Sequence, residues 1–392
     1  MVKKIKRIYW DTAAATPLAP VVFRAIKAYD EEYFGNPSSL HWEGVKAKRA
    51  VEKARAKIAK TLQAHPDEIV FTGSGTESNN LALTGVMLPA TELITTAIEH
   101  PAVLEPARQL ARLGHRVVYI SVNGEGQIDL TTFKQALNAK TRLVSVMLAN
   151  NEIGAVQPIR ELAKIIRQHR KKHQTLRPYL HTDACQAPRF LELNVAQLGV
   201  DLLSFNGSKI YGPKGVAALY VRRGVPLLPL IRGGGQEAGR RSGTLNVAGI
   251  VGLAEALALC AESRAQENQR LVKVRGRLLA KLQKIPNLTI NGGMRERLPH
   301  NLNFSVAGLS AEQLVLELDA KGIAVSAGSA CAHDHEEDSA TIMAISGNDR
   351  TRALGAVRVS LGRDATIAQA DYFGKMLLQI IAKYQNYQTP GV

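Results

Sequence analysis

Three short segments carry residues whose types and spacing can perform chemistry. In the first, Phe71 to Ser78, a strand-like run stops at Gly73 and Gly75 and a helical segment follows. Such a junction directs free backbone N–H groups and the positive end of a helix dipole at one point, which suits a phosphate. The segment lacks the Gly-Lys-Ser/Thr of a Walker A loop, and a tight structural turn is the alternative interpretation.

The second segment, Tyr179 to Gln186, contains an aspartate at the end of an apolar strand. In an open α/β sheet, ligands bind at the carboxyl edge of the strands. A carboxylate there is costly unless it meets a cation or a metal ion, so we expect Asp183 to have a positively charged partner. The alternative is that Asp183 caps the N-terminus of a helix.

The third segment, Asn206 to Gly215, holds a lysine between glycines. A lysine in so constrained a turn can be partly desolvated, which lowers its pKa and makes its amine available for a Schiff base. By itself Lys209 would more often be a surface charge. Together, a phosphate site, an acid for a pyridinium nitrogen and a lysine amine are the parts that bind pyridoxal phosphate.

The elements around these segments predict an α/β fold. Between about residues 66 and 223, buried-type apolar runs alternate with helical periods, which is the pattern of βαβ units and a mostly parallel sheet. The predicted strands are Glu68–Thr72, Leu93–Ile98, Arg116–Val122, Arg142–Ala149, Tyr179–Asp183, Leu202–Asn206 and Val216–Arg222. The predicted helices are Glu43–Leu62, Glu77–Met87, Val103–Leu113 and Ile159–His173.

From about Val247 the pattern changes to that of a smaller α+β domain. We expect two long helices, one through Cys260 and one from Glu267 to Ile285, and a closing helix after Thr366. Short strands are predicted near Leu302–Val306, Ala324–Ser326 and Val357–Leu361. The predicted division is a large domain of residues 16–262 and a small domain of residues 1–15 with 263–392.

Composition places the chain among ordinary globular proteins with an excess of positive charge. Its 392 residues are 45% hydrophobic and 21% charged, which disfavours collagen-like, disordered and coiled-coil classes. The net charge of +16 favours nucleic acid, an anionic membrane surface or an acidic protein as partner. Basic residues cluster in Lys46–Lys60 and Arg160–Arg177, where a solvated helix face is the alternative. No RNA-binding motif with interleaved aromatic residues is present, so direct nucleic-acid binding stays open.

The cysteines and the apolar runs indicate a cytoplasmic protein. The three cysteines form no C-x-x-C pair, which favours a reducing compartment. Asp11 interrupts the basic start before any apolar segment of a signal peptide develops. No run reaches the roughly 20 apolar residues that cross a membrane.

The sequence resembles the cysteine desulfurases of the class V aminotransferase family, pyridoxal phosphate-dependent enzymes of fold type I. The resemblance is to the NifS/IscS-like, long-loop type and covers nearly the whole chain. It rests on motifs in the expected order: Tyr9–Pro17, Gly35–Ser39, Thr72–Ser78, Glu99–Val103, Asn150–Gly154, His181–Gln186, Ser208–Gly215, Arg241–Thr244 and Ser326–Ala332. It implies a large domain with a mostly parallel seven-stranded sheet and a smaller α+β domain.

The resemblance assigns roles around the ring of the cofactor. Lys209 would bind pyridoxal phosphate covalently and then carry the proton. Asp183 would keep the ring nitrogen protonated, and His100 would stack on the ring and serve in acid–base steps. Gln186 and Asn151 would bond near the phenolic oxygen.

It also assigns a phosphate site. Gly75, Thr76, Asn206 and Ser208 would contact the phosphate, and Thr244 would reach it from a second subunit, which implies a homodimer. The family usually has Ser-Gly-His where this chain has Asn206, glycine and Ser208. Both side chains can donate hydrogen bonds, but the loss of a cationic donor is expected to weaken phosphate binding.

Substrate chemistry is assigned to three residues. Asn36 and Arg358 would hold the α-carboxylate of L-cysteine, for which a forked guanidinium is suited. Cys331 would attack the substrate sulfur as a thiolate, leaving L-alanine and a persulfide. Four acids follow it, Asp334 and residues 336–338, and these raise a thiol pKa, while His333 and His335 can compensate.

The same polar stretch leaves alternatives open. It predicts a mobile loop that carries Cys331 between the cofactor and an acceptor, whereas the alternative for Cys331 is a buried, inert thiol. The Cys-x-His-x-His spelling also permits a metal ion or a transient iron–sulfur cluster on Cys331.

The implied function is transfer of sulfur from L-cysteine to acceptor proteins of iron–sulfur cluster assembly or tRNA thiolation. Rivals with the same fold are a selenocysteine lyase and another class V aminotransferase or β-lyase. A non-catalytic sulfur-carrier or tRNA-binding scaffold is the rival of a different class.

Overall fold

The computed structural model describes residues 7–328 and 339–387. Within them the strands lie in two larger sheets and one strand pair. The strands are β1 (Ile8–Tyr9), β2 (Ile69–Thr72), β3 (Glu92–Thr96), β4 (Arg116–Ile120), β5 (Thr141–Ser145), β6 (Tyr179–Asp183), β7 (Leu202–Asn206), β8 (Ala217–Val221), β9 (Leu288–Ile290), β10 (Asn301–Val306), β11 (Ile323–Ala324), β12 (Ser326–Ala327) and β13 (Ala356–Ser360).

Helices connect and cover these strands. They are α1 (Pro20–Glu31), α2 (Trp42–Leu62), α3 (Gly75–Val86), α4 (Pro101–Arg112), α5 (Leu130–Ala136), α6 (Ile159–Lys172), α7 (Val195–Leu198), α8 (Val247–Leu282), α9 (Ala311–Ala320), α10 (Ala340–Ser346), α11 (Arg350–Leu354) and α12 (Ile367–Tyr387).

The predicted seven-stranded, mostly parallel sheet is confirmed. Its order is β2-β8-β7-β6-β5-β3-β4, and only β8 runs antiparallel to its neighbours β2 and β7. Every strand predicted between residues 66 and 223 lies in this sheet. Most ends differ by a few residues; for example, β5 ends at Ser145 rather than at Ala149. The chain beyond β5 still follows β6, since Val146 N–H donates to the His181 carbonyl.

Both faces of this sheet are covered, which explains its continuous apolar strands. Neighbouring residues of β2 belong to different hydrophobic clusters: Phe71 packs with the cluster that includes α2, α6 and α8, and Val70 with the cluster of α3 and α4. Strands β3, β5, β6 and β8 are buried at every position. The sheet is therefore a rigid base, and its carboxyl edge is where polar side chains can meet.

The prediction of two long helices after Val247 was wrong, because α8 is one continuous helix. The residues between the predicted pair, 261–266, contain neither glycine nor proline. Ser263 does not interrupt it: its hydroxyl donates to the carbonyl of Leu259, one turn earlier, at 2.7 Å. Although α8 and α12 are long, no helix in the described ranges is apolar enough to cross a membrane.

A second unit is built on the antiparallel sheet β12-β13-β10-β9. Its core combines these strands with α9, α12 and the second half of α8. The predicted strand Ala324–Ser326 is split, because β11 pairs with β1 while β12 pairs with β13. Strand β1 and Trp10 thus pack with this unit. The domain limits at residues 16 and 262 stay a prediction.

Candidate active site

A cavity of about 400 Å³ opens at the carboxyl ends of the parallel strands β3, β5, β6 and β7. This is the edge at which α/β sheets bind ligands. Ten of the residues singled out in the sequence line it: Gly75, Thr76, His100, Asn151, Asp183, Gln186, Asn206, Ser208, Lys209 and Arg358. The three chemistry-bearing segments therefore meet at one place.

The glycine segment after β2 forms the N-terminal end of α3. Ser74 is the N-cap, and its hydroxyl accepts the N–H of Glu77 at 3.0 Å. A Cβ atom at Gly75 would lie 2.7 Å from the Cys185 Sγ and 3.1 Å from the Asn206 Nδ2. A Cβ atom there would displace the Cys185 or Asn206 side chain, so glycine permits this close approach. We call this N-terminal end of α3 at the cavity wall the glycine cradle.

Asp183 is 7% exposed and is held by neutral donors. The Asn79 Nδ2 donates to its Oδ2 at 2.6 Å, and the Cys185 N–H donates to its Oδ1 at 2.8 Å. No described helix begins directly after Asp183, so the helix-cap alternative was wrong; the next is α7, at Val195. Among the described residues, no lysine, arginine or histidine forms a salt bridge with Asp183, so the cation expected there is not identified.

Lys209 follows β7 and is half-buried, so it is not simply a surface charge. Its Nζ donates to the carbonyl of Ala14, another residue of the cavity wall. The carbonyl of Ser208 accepts the Thr16 N–H at 2.8 Å and the Thr16 hydroxyl at 2.9 Å, which fixes the turn. The N-terminal strap, defined as Asp11 to Thr16, thus lies across the lysine segment. Gln186 donates to the same strap, to the Ala13 carbonyl at 3.0 Å.

His100 is the N-cap of α4, and its Nδ1 accepts the Ala102 N–H at 3.0 Å. Burial lowers the pKa of His100, so the imidazole is favoured in its neutral form. With Nδ1 as the acceptor, the proton lies on Nε2. The neighbouring Glu99 is fully buried, and burial raises its pKa to about 8.

Arg358 lies on β13 and is 2% exposed. Its Nη2 pairs with the Asp11 Oδ1 at 2.8 Å, and its Nη1 donates to the Asn151 carbonyl at 3.3 Å. Its Nε is buried and has no hydrogen-bond partner among the described residues. A buried guanidinium with an unused donor at a cavity wall suits an anionic ligand.

Three predicted residues are not part of this cavity wall. Asn36 is exposed, and its side chain accepts the Ser38 N–H at 3.0 Å. Thr244 is exposed as well. Cys331 lies outside the described residues, together with His333, His335 and the acids beside them. In the part of the chain that is described, no group of side chains is arranged to hold a metal ion.

Sequence reasoning missed four contributors to the site. They are Asn79 and Cys185 beside Asp183, Asp11 beside Arg358, and the backbone of Ala14 beside Lys209. The available signals were local: Asn79 is one helical turn after Thr76, and Asp11 lies in the quoted motif Tyr9–Pro17. Their partners could not be read from spacing.

The residues at the cavity fit pyridoxal phosphate. The glycine cradle and the N-terminus of α3 suit its phosphate, Asp183 its ring nitrogen, and Lys209 its aldehyde. Two further buried oxygens beside the cavity, the Asn206 Oδ1 and the Asn79 Oδ1, have no partner among the described residues. Such orphaned polar atoms are expected where a polar ligand completes the site.

Comparisons with known proteins agree with this chemistry. The family model described as "Aminotransferase class-V" matches residues 8–373. A protein of Dictyoglomus turgidum named "Cysteine desulfurase IscS" is 43% identical over 383 residues, which cover 96% of this chain and 95% of the relative. A solved structure titled "NIFS-LIKE PROTEIN" has a TM-score of 0.89 at 36% identity and covers 96% of this chain and 99% of its own. Another solved structure, "SspA in complex with cysteine", has a TM-score of 0.78 at 34% identity and covers 90% of this chain and 98% of its own.

Proposed function

This chain belongs to the aminotransferase class-V family, whose cofactor is pyridoxal phosphate, and we propose that it is a cysteine desulfurase. It converts L-cysteine to L-alanine and transfers the sulfur to a persulfide on Cys331. One observation carries the proposal: Lys209, Asp183, the Gly75 cradle and the buried Arg358 all face one cavity. The first three suit the cofactor, and the fourth suits the carboxylate of an amino acid.

When bound, pyridoxal phosphate withdraws electrons from the Cα of the amino acid and thereby weakens the bonds around it. Asp183 holds the ring nitrogen in its protonated form. The N–H groups at the start of α3, with Thr76, Asn206 and Ser208, hold the phosphate. The Asn79 side chain and the Cys185 N–H keep the Asp183 carboxylate fixed, so little reorganisation energy is needed when it binds the ring nitrogen.

Two side chains are placed to move protons. The Lys209 Nζ takes the proton from the substrate Cα and returns one to the product. Burial favours the neutral form of His100, and its Nδ1 accepts the Ala102 N–H, so we assign the Nε2–H as the group that donates a proton in the reaction. Arg358 fixes the α-carboxylate and thus the orientation of the Cα–H bond.

Cys331 supplies the nucleophile. Its thiolate forms an S–S bond to the substrate sulfur while the Cβ–S bond breaks, and the released electron pair stays on the carbon that becomes the methyl group of alanine after protonation. The described residues on either side of the Cys331 segment lie near the cavity, which supports Cys331 as the nucleophile. Ser326 pairs with Arg358, and the Ser339 hydroxyl lies 2.5 Å from the carboxylate of Glu152, next to the cavity residue Asn151.

A homodimer would complete the site. Large apolar side chains are exposed along two segments, including Phe34, Leu40 and Trp42 in one and Leu228 and Ile231 in the other. Pro37 and Ser38, within the first segment, line a second cavity of about 620 Å³ together with residues 236–238. Several large apolar side chains exposed in one segment support a protein interface there. Thr244, exposed on its own chain, would then contribute to the phosphate site of the partner.

The sulfur acceptor is proposed to be an iron–sulfur scaffold protein or a tRNA-thiolation enzyme, and the location cytoplasmic. The net charge of +16 supports an acidic acceptor through electrostatic steering. We also propose that Cys331 can bind a transient iron–sulfur cluster. The substrate carboxylate role of Asn36 also stays a proposal, to be tested by replacement with alanine.

The purified protein tests the function directly. We expect visible absorbance from the bound cofactor, fixation of that cofactor to Lys209 by borohydride, and release of equal amounts of alanine and sulfur from L-cysteine. Cys331→Ala should retain the absorbance and lose sulfur transfer, whereas Cys260→Ala, a buried thiol away from the cavity, should retain both. Sulfur transfer that persists in Cys331→Ala would contradict the persulfide role.

The rivals give different results in the same assay. A selenocysteine lyase would turn over selenocysteine but not L-cysteine, and an aminotransferase would consume a keto acid and form no persulfide. A non-catalytic scaffold would show neither cofactor absorbance nor borohydride fixation. Any of these outcomes would overturn the proposed function.

A further inference from the structure

We propose that Asp11 is a positioning residue for the substrate carboxylate: it holds the guanidinium of Arg358 in the orientation that a carboxylate ligand requires. The inference deepens the proposed function and rests on it, because it takes the ligand of Arg358 to be the carboxylate of an amino acid. Asp11 itself does not line the cavity.

The guanidinium of Arg358 is fixed at two points. Its Nη2 pairs with the Asp11 Oδ1 at 2.8 Å, and its Nη1 makes a longer bond, 3.3 Å, to the Asn151 carbonyl. The Nε makes no hydrogen bond within the described chain. Two contacts define the plane of the group, and the shorter, charge-assisted one comes from Asp11.

Asp11 is itself held by the strand that carries Arg358. It forms a parallel bridge with Ser360, two residues after Arg358 on β13. The Ser360 N–H donates to the Trp10 carbonyl at 2.8 Å, and the Thr12 N–H donates to the Ser360 carbonyl at 3.3 Å. These contacts fix the backbone of Asp11 relative to β13, which limits how far its carboxylate can move away from the guanidinium.

Burial makes this orientation necessary. The Arg358 side chain is 3% exposed, so water cannot satisfy donors that turn away from a ligand. Bidentate recognition of a carboxylate needs two N–H groups in one plane that faces the ligand. Without Asp11, only the longer bond to the Asn151 carbonyl would define that plane, and the ligand would have to order the guanidinium when it binds.

Two substitutions separate orientation from charge. Asp11→Asn keeps the size and an acceptor oxygen for the Arg358 Nη2 but removes the negative charge. Asp11→Ala removes both. Asp371, which pairs with Arg277 at the surface, provides the matched controls Asp371→Asn and Asp371→Ala.

The assay measures binding, not turnover. The cofactor-loaded protein is titrated calorimetrically with L-alanine and with ethylamine, which has the amine and the methyl group but no carboxylate. Asp11→Ala should raise the dissociation constant for L-alanine about tenfold, because the ligand must then order the long Arg358 side chain when it binds, and should leave the dissociation constant for ethylamine within about twofold. Asp11→Asn should stay within about threefold of the parent for both ligands, as should the Asp371 variants.

Each other result overturns the inference. Equal losses in Asp11→Asn and Asp11→Ala would make charge, not orientation, the role of Asp11. Tighter binding of L-alanine would make Asp11 a competitor of the substrate. Loss of ethylamine binding together with a lower melting temperature would indicate a structural role alone, and an unchanged L-alanine affinity would indicate no role.

The proposed function fails on a different measurement. If the parent protein binds L-alanine in an Asp11-dependent way but releases no sulfur from L-cysteine, the desulfurase proposal is wrong and the positioning role stands. If sulfur is released normally by the parent and L-alanine binding is independent of Asp11, the positioning role is wrong and the function stands.

Discussion

Replacing Gly75 by alanine tests the close approach at the start of α3. The new Cβ would lie 2.7 Å from the Cys185 Sγ, about 1 Å inside a normal contact. The Cys185 side chain is half-buried and its backbone N–H donates to the Asp183 Oδ1 at 2.8 Å, so the Sγ can move away from the new Cβ only by rotation about the Cα–Cβ bond. Overpacking of this kind costs roughly 1–3 kcal/mol, and the helix propensity of alanine returns about 0.5–1 kcal/mol. We expect Gly75→Ala to lower the free energy of unfolding by about 1–2 kcal/mol.

A double-mutant cycle identifies the cause. Cys185→Ala removes the Sγ, after which the nearest atom to the new Cβ is the Asn206 Nδ2, at 3.1 Å. The double variant should therefore be about 1–2 kcal/mol more stable than the sum of the single losses predicts. Urea denaturation of the cofactor-free protein at one fixed protein concentration gives these values.

The control is Gly276→Ala in α8, where a Cβ meets no atom within 4 Å. It should gain about 0.5–1 kcal/mol from helix propensity alone. Single and double variants that add to within about 0.5 kcal/mol would refute the steric reasoning, since independent sites behave in that way. A stabilised Gly75→Ala would refute it as well.

Three further outcomes are expected. Glu237→Ala removes the buried carboxylate that Arg55 contacts at 2.6 Å and leaves Arg55 with the more exposed Glu52, so it should cost about 3 kcal/mol in urea denaturation. Asp67→Ala breaks an exposed pair and should cost no more than about 1 kcal/mol; equal losses would refute the distinction. Ser208→His should lower the dissociation constant for pyridoxal phosphate about tenfold, because the new imidazolium can donate to the phosphate. Fluorescence titration below the pKa of the new imidazole measures this constant. An unchanged dissociation constant would mean that residue 208 does not contact the phosphate. Burial raises the pKa of Glu99 to about 8, so this carboxyl binds more protons in the folded than in the unfolded state, and stability falls as the pH rises toward 8. Glu99→Gln should make the urea midpoint depend less on pH. An unchanged pH dependence would contradict the reasoning.

The large sheet was predictable because its signals are local. An apolar run that ends in a polar or glycine residue and precedes a helical period is readable within about ten residues. Once such units alternate, the parallel sheet brings the carboxyl ends of its strands to one edge. The sequence alone therefore predicts that Asp183 and Lys209 lie at one site. The continuity of α8 was not predicted, because the polar residues 261–266 resemble a break between two helices. Only the packing of the two halves of α8 in different hydrophobic clusters shows that the helix continues through them.

Sequence by itself determined which groups this protein has available for chemistry: a glycine cradle, an aspartate, a lysine and an arginine at element ends. Tertiary structure decided which neighbours hold those groups in place. Asn79 meets Asp183 across 104 positions, and Asp11 meets Arg358 across 347. It also placed Asn36 and Thr244 outside the cavity of their own chain. The physical reason is range: strand and turn preferences act between near neighbours, whereas the partner of a buried charge is set by the packing of the whole chain.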